Sequence, residues 1–162
     1  MTAPGENLAI SSIVTVRGMR HSDIPGVSSI LEESPEASKW SGESLIQSAP
    51  ARTAWVAEQD GHVIGFLIGR AVVDEFEILN LAVAQSFRRR GAAKRLLETM
   101  AACLRTMETR RAYLEVRASN QAAIALYARH GFRLCGRRAR YYQYPQEDAV
   151  VLSWDCEKDK AR

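Results

Sequence analysis

The sequence predicts an α/β sandwich built on a mixed β-sheet, in one domain. Three features carry that reading. The apolar period switches between about 2 and about 3.6 residues along the chain, the respective repeats of strands and helices. Three strand-like runs follow one another with turns between them, which makes an antiparallel meander. A long amphipathic segment then separates two further strand-like runs, so a parallel pair forms around that helix. A chain of 162 residues is long enough to bury one core of ordinary size.

The elements follow in order. IVTVR at 13–17 alternates β-branched residues and reads as a first strand. Ser22, Asp23 and Pro25 are helix-start residues, and Ile24, Val27, Ile30 and Leu31 follow at helical spacing. Pro35 ends that helix. Ser41 opens a second short one, with Glu43 in its first turn and Pro50 at its end. Residues 53–58, 63–70 and 76–83 are the three strands of the meander, with a tight turn at Gln59-Asp60-Gly61-His62. From Gly91 the apolar positions Leu96, Leu97, Met100, Ala101, Leu104 and Met107 mark the long helix. RAYLEV at 111–116 returns to strand. Ser119 and Asn120 cap another helix, which carries Ala123, Ile124 and Tyr127 and ends at Gly131. Residues 132–144, interrupted near Gly136, and 149–154 are the last strands, with Pro145 between them. Residues 1–12 read as a loose polar tail and 157–162 as a charged one, leaving 13–156 as the domain.

Composition excludes several classes. The chain is 46% hydrophobic and 25% charged, which is neither disordered nor fibrous. No run approaches the roughly 20 apolar residues of a membrane span. The N-terminus lacks the pattern of a signal peptide. The three cysteines, Cys103, Cys135 and Cys156, have no metal-type spacing, and a reduced cytoplasmic setting is the expectation. His21, His62 and His130 are scattered and suggest neither a metal site nor a triad. The net charge of +3 is small, but basic residues cluster at Arg88, Arg89 and Arg90 and again at Arg137, Arg138 and Arg140. Such runs meet phosphates or form solvated faces.

The first of these clusters lies at a strand-to-helix junction, RRRGAA at 88–93. The first amides of a helix have no internal partner, and with the helix dipole they favour an anion. Gly91 and Ala93 let a phosphate approach the main chain. A basic helix start opposes the dipole unless an anion is present, which points to a ligand. Neither a Walker A loop nor a dinucleotide fingerprint occurs.

Asn80-Leu-Ala-Val83, then Arg88-x-x-Gly91-x-Ala93 opening a helix, resembles the acetyl-CoA motif of the GNAT acetyltransferases, Gln/Arg-x-x-Gly-x-Gly/Ala. LEVRASN at 114–120, Ala123-Ile-Ala-Leu-Tyr127, Gly131-Phe132, Trp40-Ser41, Tyr141-Tyr142 and Glu147-Asp148-Ala149 are similar to the ribosomal-protein-alanine N-acetyltransferases, the RimI type. The resemblance spans 13–154. It implies the GNAT acyl-CoA N-acyltransferase fold, with about seven strands and four helices, and acetyl-CoA as co-substrate. It implies that Leu81, Ala82 and Val83 contact the acetyl and pantetheine portion and that Arg88, Arg89, Arg90, Gly91, Ala92 and Ala93 hold the pyrophosphate. Asn120 would bind the cofactor, Glu115 would be the general base, and Tyr127 the general acid. The acceptor it implies is the N-terminal amine of a protein, a ribosomal protein among the candidates.

The chemistry fits these residue types. An α-amine, with a reference pKa of about 8, needs less help to lose its proton than a lysine at about 10.4. Glu115 could take that proton directly or through water; its structural alternative is an ion pair with Arg117 or Arg111. Tyr127 could protonate the departing thiolate or serve as core with its hydroxyl at the edge. A main-chain N–H from 81–83 would meet the oxyanion. No cysteine sits in a nucleophile motif, so direct attack in a ternary complex is expected. Glu77 either joins a water chain or faces solvent. Tyr141, Tyr142 and Tyr144 are candidates for the lip of an acceptor groove. Alternative acceptors are a small-molecule amine or a lysine side chain. Outside enzymes, the alternatives are a non-catalytic acyl-CoA module or an RNA-binding module. Neither nucleic acid nor membrane is an expected partner.

Overall fold

The computed structural model describes residues 12–37, 44 and 53–156. Seven strands form one sheet: β1 (Thr15–Gly18), β2 (Ala54–Gln59), β3 (His62–Val72), β4 (Glu75–Val83), β5 (Arg111–Arg117), β6 (Arg133–Gln143) and β7 (Gln146–Asp155). Three helices lie among the described residues: α1 (Ile24–Glu32), α2 (Ala92–Thr106) and α3 (Gln121–Arg129). The fourth expected helix, from Ser41 to Pro50, lies outside them except for Ser44, as do Trp40, residues 1–11 and the tail from 157.

The sheet order is β1-β2-β3-β4-β5-β7-β6. β2, β3 and β4 are the expected antiparallel meander. Asp60 and Gly61, with φ of 51° and 78°, make the first turn of the type whose twist suits a two-residue hairpin. The crossover through α2 returns the chain to β5 parallel to β4. β7 then inserts between β5 and β6, leaving β6 at the edge.

Two cores hold the layers. α2 directs Ala92, Leu96, Leu97, Met100 and Leu104 onto one face of the sheet, against Leu67, Phe76, Ile78, Leu114 and Val116, with Tyr127 and Phe132 completing that cluster. On the other face α1 packs Val27 and Ile30 against Val56, Phe66, Ile68 and Ala82. Truncating a fully buried side chain such as Leu96 to alanine costs about 2–5 kcal/mol. Where β3 meets β4 the register slips: Ile68 faces Asn80, but Gly69 faces Ile78. Leu79 is therefore the extra residue of a β-bulge. Phe76 and Ile78 lie on the α2 face, and beyond the bulge Leu81 and Val83 take over that face. Only glycine fits opposite, because a Cβ on Gly69 would overlap the edge of the Phe76 ring.

Candidate active site

β4 and β5 pair only as far as Ile78 and Leu114, although β4 continues to Val83 and β5 to Arg117. The strands part there, and a cleft of about 520 Å³ opens between them. On its other edge β4 remains paired with β3. The Ala84 N–H donates to the Ile64 carbonyl at 2.8 Å, and antiparallel alternation then turns the main chain of Ala82 toward β3. The polar groups of Leu81 and Val83 face the gap instead. The Val83 carbonyl is taken by Arg88 Nε at 3.0 Å, which leaves both amides and the Leu81 carbonyl directed at the opening. Among the three expected cofactor contacts, Leu81 lines the cleft, while Ala82 and Val83 are buried beside it.

Glu115 and Tyr127 both line this cleft, and they approach from opposite faces of the sheet. Ala112, Leu114 and Val116 belong to the α2–α3 core, so the strand period turns Glu115 to the α1 side. Tyr127 is on the α3 side, buried edge-on against Phe132 at 5.5 Å. Burial pushes its hydroxyl well above the ordinary tyrosine range, with a smaller push from Tyr142. It therefore stays protonated at neutral pH, the form a proton donor needs.

Glu115 does form an ion pair, but with neither Arg117 nor Arg111. Its partner is Arg138, with Nε 2.6 Å from Oε1. The Tyr141 hydroxyl also bonds Glu115; that bond, followed by burial, raises Tyr141 to about 12. Arg117 instead stacks on Tyr142 at 4.2 Å and reaches Glu147 at 3.4 Å. Arg111 lies at the start of β5, opposite Asp155. Glu147 is drawn below the ordinary carboxylate range chiefly by Ser119, whose hydroxyl and amide both bond it. Those contacts fix the turn leading into α3. There Asn120 caps the helix by accepting from the Ala123 amide at 3.1 Å, and it lines the cleft as well.

The basic loop divides by role. Arg88 was expected on pyrophosphate, yet its guanidinium binds Val83, Ser34 and Glu36, the last at 2.7 Å. It ties the end of β4 to the segment after α1. Arg89 is exposed with φ of 62°, and Arg90 stacks on Phe87 at 5.6 Å. Gly91 precedes α2 with φ of 88° and open space where a Cβ would stand. Arg95 makes the first helical bond, to Gly91 at 3.0 Å, and no side chain caps the start. The amides of Ala92, Ala93 and Lys94 thus have no helical partner. Together with the main-chain groups of Leu81 and Val83, this donor set suits a chain that carries phosphates at one end and an amide-rich arm at the other.

Glu77 is absent from the cleft lining and is bonded by Arg70 at 2.6 Å. Among the described residues no cluster of histidine, cysteine and carboxylate could hold a metal, and no helix is long and apolar enough to cross a membrane. Asn80, buried at the bulge, lines the cleft, and Arg138 holds Glu115 there; sequence reasoning assigned Asn80 no role of its own and read Arg138 only as part of a basic cluster. Period alone shows neither the bulge beside Asn80 nor the strand order that brings Arg138 to Glu115.

The Acetyltransferase (GNAT) family matches residues 22–132, and the chain belongs to that family. It is an acetyl-CoA-dependent N-acetyltransferase with the GNAT fold. The chain is 32% identical over 142 residues to the [ribosomal protein bS18]-alanine N-acetyltransferase of Escherichia coli K12, covering 86% of this chain and 95% of that one. It is 33% identical over 140 residues to the putative enzyme of that name from Bacillus subtilis, covering 85% and 92%. The crystal structure of the E. coli ribosomal-protein-S18-alanine N-acetyltransferase superposes with a TM-score of 0.80 at 30% identity, over 89% of this chain and 94% of that one. Ard1 from Thermoplasma volcanium gives 0.81 at 26% identity, over 88% and 97%.

Proposed function

We propose that this enzyme acetylates the N-terminal α-amine of a protein, with alanine as first residue and a ribosomal protein of the bS18 type as acceptor. The observation that carries the reading is the pairing of Glu115 and Tyr127 across one cleft that Leu81 also lines, where β4 and β5 have parted. The likeness to enzymes named for bS18 alanine, over nearly their whole length, supports the acceptor.

Acetyl-CoA supplies an activated thioester acyl group. The amides at the start of α2, with Arg89 and Arg90 nearby, hold its diphosphate, and Asn120 lines its path. An amide of Leu81 or Val83 polarises the carbonyl and meets the charge that develops there, a fixed dipole that need not reorganise. Glu115 receives the ammonium proton, and Tyr127 donates one toward the departing sulfur. None of the described cysteines lines the cleft, which supports direct attack by the amine. The free thiols Cys103, Cys135 and Cys156 support a cytoplasmic setting.

Thiol release from acetyl-CoA, measured across peptides beginning Ala, Ser or Met beside small amines and internal lysines, tests the reading. Mass spectrometry should place the acetyl group on the terminal nitrogen of the alanine peptide. Faster turnover with a small amine or a lysine side chain would reject the acceptor assignment.

A further inference from the structure

We propose that Arg138 occupies, in the resting enzyme, the position at Glu115 that the ammonium of the incoming acceptor must take. On this basis Arg138 is a positioning residue that sets acceptor affinity by competition. The inference rests on the reading of Glu115 as the group that receives the amine proton.

The local fold delivers Arg138 to Glu115. β6 and β7 are in register at Arg138–Ala149 and again at Tyr142–Glu147, so three residues of β6 oppose Asp148 alone. Asp148 holds this bulge, accepting from the Arg140 amide at 2.9 Å and from Arg137 Nε at 2.8 Å. In a regular strand Arg138 and Tyr141 would point to opposite faces. Arg138, paired with Ala149 just before the bulge, is on the Glu115 face by register, and the two extra residues bring Tyr141 there as well. The first meets Glu115 as an ion pair and the second as a hydroxyl donor.

Glu115 is only 15% exposed, whereas Arg138 is 59% exposed. The arginine lies mostly in water, and the carboxylate is reached through the cleft that it lines. An acceptor α-amine arrives largely as an ammonium. Glu115 is already held by Arg138 at Oε1 and by the Tyr141 hydroxyl, so an entering ammonium meets an occupied carboxylate and is repelled by the guanidinium beside it. Arg138 therefore swings outward as the ammonium enters. Its ring contact with Tyr141, at 5.7 Å from the centroid, gives the displaced guanidinium an aromatic face close by. With its arginine mostly in water, the pair is weak enough for such an exchange at modest cost.

The test uses the full chain with Arg138→Gln and Arg138→Lys, an alanine-first peptide, and the same peptide already N-acetylated as a product inhibitor. Arg138→Gln should lower the KM for the amine peptide by about two- to five-fold, the range an exposed ion pair supports, with kcat changing by less. Arg138→Lys, which keeps a cation, should lie between the variant and the parent. The inhibition constant of the acetylated peptide, which lacks the ammonium, should stay within about 1.5-fold of the parent, since the ion-pair contribution is absent. A raised or unchanged KM, or equal shifts for amine and acetylated peptides, overturns the competition. If no peptide amine is acetylated by the parent enzyme, the acceptor assignment fails instead, and the two failures are distinct.

Discussion

Two arginine–carboxylate clusters sit toward opposite ends of the sheet, and they close differently. At β1 and β2, Arg17 spans Asp23 and Glu58, with two bonds to Asp23 at 2.8 and 2.9 Å and two to Glu58 at 3.0 and 2.7 Å. Asp23 is buried and also accepts the Arg20 amide at 2.7 Å, so every strong group in the cluster has a fixed partner. At β5 and β6, Glu115 meets Arg138 through one short contact to an arginine that is mostly in water. The first arrangement fixes α1 to the sheet. The second holds a carboxylate at a cleft while keeping its partner removable. The same two chemical groups thus serve as a lock or as a latch, and burial of the arginine side separates the two.

The largest effects should come from the cleft. Glu115→Gln should lower kcat by about 10²-fold, the lower end for positioned proton transfer, because an α-amine needs only modest help. Its melting temperature should hardly move. Tyr127→Phe should lower kcat by a similar factor, again about 10², while the dissociation constant of coenzyme A measured by calorimetry stays nearly constant. A Tyr127→Phe enzyme with unaltered kcat would remove the acid role and leave the residue as core alone.

The lock should respond in the opposite sense. Asp23→Asn removes a carboxylate bonded by a guanidinium and an amide, worth about 2 kcal/mol for charge-assisted bonds. For a chain of this size that lowers Tm by about 4–8 °C, with kcat at saturating substrates preserved. The acid response has a definite sign. Asp23 is held below the ordinary carboxylate range, mainly by Arg17 and then by the Arg20 amide, against a burial effect that raises it. Protons therefore bind the unfolded chain more readily, and this stability is present above the ordinary range and lost as pH falls through it. Thermal scans from about pH 6 down to about pH 3 should show a shallower loss in Asp23→Asn than in the parent. Some slope will remain, since Glu147 and Asp148 are also held low.

Much of this was legible in the sequence, for local reasons. Strand alternation, the Asn120 cap, the glycine after α3 and the start of α2 are all short-range features, and each is where the residues put it. The cleft itself is not short-range. It exists because β4 and β5 stop pairing at Leu114, and register between strands some 35 residues apart leaves no trace in either strand alone. The partner of Glu115 was missed for the same reason. Period-2 reasoning offers Arg117 and Arg111, the same-face residues of its own strand. The actual partner arrives from the edge strand β6 across the inserted β7, through the register of Arg138 with Ala149 and of Ala149 with Arg117, which is tertiary. Arg88 shows the converse case, a motif position whose side chain also fastens β4 to the segment after α1, a contact the motif alone does not reveal.

A third pair tests whether exposure of the arginine is enough to make a latch. Glu77 accepts from Arg70 at 2.6 Å, and Arg70 is 61% exposed, so in exposure this pair matches Glu115 and Arg138. It differs in place, because Glu77 lies where β4 and β5 are still paired, directly across from Tyr113. No gap opens there to admit an amine. Glu77→Gln should therefore change kcat by less than about two-fold and stability by less than about 1 kcal/mol, the range for exposed ion pairs. Its visible consequence should be at Tyr113, whose hydroxyl is raised first by burial and next by Glu77; spectrophotometric titration should find a lower tyrosinate midpoint in the variant. If Glu77→Gln instead depressed kcat as deeply as Glu115→Gln, the parting of the strands would not be what selects the working carboxylate, and the proton path would have to run along the paired stretch of β4 and β5.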